Sequence, residues 1–133
     1  MALSGTRRLF SHGLVALALA VAVGACAKKP PTTPGAATPG SPQDFAQNVG
    51  DRVLFTVDSS QINPQAAAIL ERQAAWLQRY PRYQITMEGH ADERGTREYN
   101  IALSARRADA AKNFLTARGI PASRLRTLSF GKE

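Results

Sequence analysis

Between Lys28 and Pro42 lies a stretch of Pro, Thr, Gly and Ala that holds five of the chain's eight prolines, and it decides where folding can happen. It has no apolar periodicity and cannot bury a core, so it reads as a linker. Extended at about 3.1 Å per residue, it reaches on the order of 50 Å. The 133 residues thereby divide into a leading segment at 1–25, a linker at 26–43 and one domain at 44–133. A domain of that size buries a real core of modest stability. With 44% hydrophobic and 20% charged residues, the chain as a whole is not disordered.

The leading segment has the layout of an export signal. Arg7 and Arg8 supply the positive start, Leu14 to Val23 an apolar run, and Gly24 and Ala25 small residues ahead of the lone cysteine, Cys26. The run is shorter than the ~20 apolar residues of a membrane-spanning helix. A single cysteine makes no internal disulfide. Val23-Gly24-Ala25-Cys26 resembles the bacterial lipobox, with Val in place of the usual Leu. That resemblance implies cleavage before Cys26, a diacylglycerol thioether on its sulfur and a second acylation at the new amine. More than one acyl chain makes such an anchor stable. Ala27, rather than Asp, follows the cysteine; by resemblance to lipoprotein sorting, this implies the periplasmic face of the outer membrane.

Net charge is +7, and removing Arg7 and Arg8 leaves 7 − 2 = +5. The basic residues alternate with Asp and Glu, and Arg106-Arg107 is the only basic pair in the domain, so nucleic-acid binding has little support.

Within the domain, residues 52–57 (RVLFTV) place Val53, Phe55 and Val57 on one side, which predicts a strand. Asp58-Ser59-Ser60 breaks it. Asn63 followed by Pro64 is a helix start. Ala66, Ile69, Leu70, Gln73, Trp76 and Leu77 follow at helical spacing, and Tyr80-Pro81 ends the helix. Trp76 reads as core. Residues 83–88 alternate as a second strand, followed by a polar loop at 89–95. Thr96 caps a second helix running to about Arg118, with Gly119 and Pro121 behind it. Its apolar stripe is Leu103, Ala108, Ala111, Phe114 and Leu115. Residues 126–130 predict a third strand. The order is strand–helix–strand–helix–strand, an α/β fold with two main helices on one face of a small mixed sheet.

Asp92 falls in the loop after the second strand, where binding residues commonly sit. Asn100, Ser104 and Arg107 are spaced i, i+4 and i+7, so they share one polar face of the second helix. Arg holds a carboxylate by two parallel hydrogen bonds, and Asp accepts an ammonium group. An acid on the loop and an Arg on the helix therefore form a clamp for a zwitterion. Truncating Arg107 is expected to remove binding and leave the fold intact.

The stretch from Gly89 to Ala108, GHADERGTREYNIALSARRA, resembles the signature of the OmpA-like peptidoglycan-binding domain. The likeness covers the lipobox, the linker and residues 51–133, including Phe55-Thr56-Val57-Asp58-Ser59 and Leu128-Ser129-Phe130-Gly131-Lys132-Glu133. It implies that Asp92 and Arg107 hold the meso-diaminopimelate of the peptide stem. It gives Asp58 a ligand contact, Asn100 an ordering role and Ser104 a helping role at most. An aromatic often precedes the loop acid, whereas here Val57 does. The family pattern continues past Glu133 through a loop, a helix start and a last strand, so the domain is expected to be C-terminally incomplete. Implied partners are peptidoglycan, and TolB with the Tol complex, on overlapping surfaces. The function implied is to tether the outer membrane to the cell wall in support of envelope integrity and division. The alternative is a protein-interaction module whose main ligand is TolB or another periplasmic protein.

Catalysis and cofactors have no comparable support. His90, Asp92 and Ser104 include the residue types of a hydrolytic triad, yet Ser104 lies inside a helix with no Gly-x-Ser-x-Gly elbow. Asp92 and Glu93 are sequence neighbours, not facing carboxylates across a sugar. One His with acids on a short loop is a weak metal signal.

Overall fold

The computed structural model describes residues 35–132. The expected signal segment, Cys26 and the first part of the linker lie outside the described residues. Among the described residues, three α-helices, α1 (Pro42–Asp44), α2 (Pro64–Arg79) and α3 (Arg97–Ala117), accompany two strands, β1 (Ile85–His90) and β2 (Leu125–Gly131). α1 runs into a π-helix at Phe45–Gly50, and a 3-10 turn at Ala122–Arg124 leads into β2.

The helix limits follow the local signals. The Asn63 side-chain oxygen accepts from the Ala66 N–H at 2.7 Å, with Pro64 in the first turn. Thr96 caps α3 through the Tyr99 N–H at 3.1 Å. Gly119 takes φ +93° beyond the C-terminal end of α3.

β1 and β2 pair in parallel, Ile85 opposite Leu125 through Gly89 opposite Ser129, with α3 as the crossover. After Gly89 the register slips, so that His90 pairs with Gly131 and Phe130 is the extra residue. The extra residue belongs to β2, so the bulge bends the end of β2. Between strands and helices lies the core, built from Leu70, Ala74, Trp76, Leu77, Ala111, Leu115, Ile120 and Leu125. Ile85 and Met87 pack against it from the inner side of β1, as the alternation predicts.

Four expectations need correction. Residues 52–57 do not form a strand. Val53 and Phe55 are half-buried and Leu54 is 76% exposed, so the alternation is present, but the segment is paired with neither strand. A cavity of about 680 Å³, lined by Val53, Phe55, Leu70, Met87 and Ala111 among others, separates it from β1. Propensity alone makes no ladder; a strand needs a partner within ~4.8 Å. For the same reason the sheet among the described residues has two parallel strands rather than a mixed set. Val57, expected on the inner side, is 58% exposed because the chain turns there, the Ser59 N–H donating to the Thr56 carbonyl. Gly89 and His90, read as loop, belong to β1.

The folded unit also reaches upstream of residue 44. The Gly40 carbonyl accepts from the Tyr83 hydroxyl at 2.6 Å and from Arg82 at 3.2 Å. The Asp44 carboxylate accepts from the Gly40 N–H, from the Asn48 side chain and from the Trp76 indole N–H, each at 2.8 Å. Phe45, Tyr80 and Tyr83 surround the Trp76 ring. The end of the Pro-rich stretch is thus fastened to the C-terminal half of α2 and to the turn that follows it. Among the described residues no helix is long and apolar enough to cross a membrane.

Candidate ligand-binding site

The site is set by how closely β1 approaches α3. Gly89 is buried, and a Cβ there would fall on the Ser104 carbonyl oxygen and press on the Ala108 side chain. Only glycine allows a strand to lie against the backbone of a helix in this way. The contact fixes the end of β1, and with it the loop carrying Asp92, beside the α3 turn that carries Arg107.

Arg107 fastens a third segment to the other two. Its Nε donates to the Ser59 carbonyl at 2.8 Å, Nη1 to the His90 carbonyl at 2.9 Å and Nη2 to the Thr56 carbonyl at 3.0 Å. Its guanidinium carbon also lies 5.3 Å from the centre of the Phe55 ring. Thr56 and Ser59 flank Asp58, which sits at φ +54° in the left-handed region that Asp tolerates better than most residues. Its carboxylate lies 3.4 Å from the Tyr99 hydroxyl of α3. One guanidinium therefore gathers the Asp58 turn and the end of β1 onto one helix. With three of its five N–H groups engaged, two remain for a ligand.

Asp92 accepts from the Arg94 backbone N–H at 3.1 Å and from the Arg94 guanidinium at 2.8 Å. These bonds, the Arg94 side chain first, hold its carboxyl below the usual carboxylate range; the charge of Arg107 acts in the same direction, more weakly. The charge of Asp58 also reaches Arg94. The expected direct opposition of Asp92 and Arg107 is therefore modified: Arg107 is bonded to carbonyls, and the partner of Asp92 is Arg94. Sequence reasoning passed over Arg94 and Tyr99. The signal available for Arg94 was its position two residues after Asp92, where a short acid bonds back to a turn.

Asn100 and Ser104 do not share an open polar face with Arg107. They are 1% and 0% exposed. The Asn100 amide donates to the Arg94 carbonyl at 2.9 Å, tying the Asp92 loop to α3, and its side-chain oxygen has no protein partner. The Ser104 hydroxyl donates to the Ile101 carbonyl, accepts from the Gly131 N–H at 3.0 Å and touches the Ser129 hydroxyl. Both hold the site's frame from within. Their polarity faces inward because the loop and the bulged end of β2 offer hydrogen-bond partners there. On the same rim, His90 stacks flat on Phe130 at 5.2 Å, with Nε2 3.7 Å from Glu88.

The assembled rim carries two carboxylates, Asp58 and Asp92, and two guanidiniums, Arg94 and Arg107. Such a set can take a ligand bearing both charges without leaving any of them unpaired.

Residues 54–133 match the OmpA family. A peptidoglycan-associated lipoprotein of Agrobacterium fabrum is 52% identical, over 99% of this chain and 81% of its own length. One from Brucella melitensis is 56% identical, over 90% and 76% respectively. The crystal structure of the peptidoglycan-associated lipoprotein from Burkholderia pseudomallei superposes with a TM-score of 0.63 at 33% identity, covering 69% of this chain and 80% of that one. The OmpA-like domain of FopA1 from Francisella tularensis, at 22% identity and a TM-score of 0.56, shares the fold. The α/β architecture, the signature around Asp92 and these likenesses agree: the chain belongs to the OmpA family.

Proposed function

We propose that this chain is a non-catalytic lipoprotein of the cell envelope that holds peptidoglycan through the meso-diaminopimelate of its peptide stem. The observation that carries the reading is the grip of Arg107 on the carbonyls of Thr56, Ser59 and His90, which gathers Asp58, Asp92 and a cation on one rim. The free end of diaminopimelate bears an ammonium and a carboxylate on one carbon. In this reading Asp92, with Asp58 beside it, takes the ammonium, and the remaining N–H groups of Arg107 take the carboxylate. Asn100 and Ser104 keep the loop and helix in place without touching ligand. The test is co-sedimentation with purified sacculi. Asp92→Ala is expected to lose at least about tenfold in retention, the loss of one charge-assisted bond. Retention equal to that of the parent chain would refute the site.

The anchor and the second partner belong to the same proposal. Cys26 carries the lipid that holds the chain to the outer membrane, supported by the residues around it and by the names of the relatives. Cys26→Ser is expected to abolish palmitate labelling; labelling of that variant would overturn the assignment. TolB binds an overlapping rim, linking the chain to the Tol system, envelope integrity and division. Soluble stem peptide is then expected to compete with TolB, and simultaneous binding would refute the overlap.

A further inference from the structure

We infer that Arg94 makes the site selective for a zwitterion, by exchanging partners with the ligand. This rests on the stem-peptide reading above and goes beyond it. Arg94 occupies the place assigned to the ligand ammonium: its guanidinium lies on Asp92 Oδ2 at 2.8 Å, while its N–H holds Oδ1. Arg107 cannot turn to replace it, because three carbonyls hold it. Arg94 is the movable cation, with its side chain 70% exposed.

A ligand with an ammonium alone must displace Arg94 from Asp92 and leaves that guanidinium without a partner. A ligand that carries a carboxylate on the same carbon supplies one at once. Its ammonium replaces Arg94 on Asp92, and its carboxylate receives Arg94 together with the remaining N–H groups of Arg107. Asp92 and Arg94 each keep an opposite charge before and after binding, so the exchange favours diaminopimelate over lysine, which differs at this end only in lacking that carboxylate. Specificity of this kind comes from the charge left unpaired by the wrong ligand.

The experiment is a calorimetric titration of the full chain with two soluble stem tripeptides, one ending in meso-diaminopimelate and the other in L-lysine. The parent chain is expected to prefer the diaminopimelate form. In Arg94→Gln the preference is expected to fall by about fivefold, the worth of one exposed ion pair, because diaminopimelate binds less tightly while lysine binds as well or better. Arg94→Lys is expected to restore much of the ratio. A general loosening of the loop would weaken both peptides equally, so an unchanged ratio in Arg94→Gln overturns the inference while leaving the wall-binding reading intact. A parent chain that binds neither peptide overturns both.

Discussion

Replacing Arg107 with Ala is expected to damage the fold as well as the site, contrary to what its position in the sequence implies. Three bonds to main-chain carbonyls vanish with the side chain, those to Thr56, Ser59 and His90. At about 1 kcal/mol net for each such bond, the loss is about 3 kcal/mol. Water reaches these carbonyls once the guanidinium is gone, which keeps the cost below that of buried orphans. The contact with Phe55 is lost too, and with it part of what holds residues 52–57 to the rest of the domain. A domain of this size has about 5–15 kcal/mol of stability in all. With a shift of about 4–8 °C per kcal/mol, the melting midpoint should drop by on the order of 15 °C. Thermal unfolding followed by circular dichroism measures it, with Arg107→Lys as the companion variant. Lysine retains the charge but reaches fewer of the carbonyls, so it should recover only part of the loss. Identical midpoints for Arg107→Ala and the parent chain would show that the three bonds contribute nothing, and that Arg107 serves the ligand alone.

Gly89→Ala should be among the most damaging single-methyl additions in the chain, since the new carbon meets the Ser104 carbonyl and neither backbone can yield alone. A loss of about 1–3 kcal/mol or more follows, read by urea unfolding, and a parent-like midpoint would contradict the close packing of β1 on α3. The Asp44 carboxyl is held below its usual range, by the Asn48 side chain first, then by the Trp76 indole and the Gly40 N–H. A depressed folded-state value means that the ionised group stabilises the fold above the ordinary carboxylate range, and that this contribution disappears as the pH falls through the folded-state value. Fluorescence of Trp76, the one tryptophan, should therefore change at acid pH before global unfolding, and this early step should be absent in Asp44→Asn.

What the sequence disclosed depended on how local the cause was. The starts of α2 and α3 were legible because Asn63 and Thr96 bond within a single turn. The inner faces of α2 and β1 were legible from spacing, since Leu70, Leu77, Ile85 and Met87 pack where periodicity puts them. The misread elements depend on distant partners. Residues 52–57 have the pattern of a strand, but pairing requires a neighbour that no pattern within them specifies. Asn100 and Ser104 read as a solvent-facing stripe because the Gly131 N–H and the Arg94 carbonyl that satisfy them come from other segments. Asp92 and Arg107 stood out as candidates by type and position, whereas the ion pair that occupies Asp92 is visible only in three dimensions.

The fastening at Gly40 has a mechanical consequence. A pull on the chain upstream of Thr38 meets the Tyr83 and Arg82 bonds to the Gly40 carbonyl, just past the end of α2, and then the Asp44–Trp76 bond within it. Tension arriving from the N-terminal side is taken up ahead of β1, at the other end of that strand from the Asp92 loop, and the ligand grip is spared until that buckle opens.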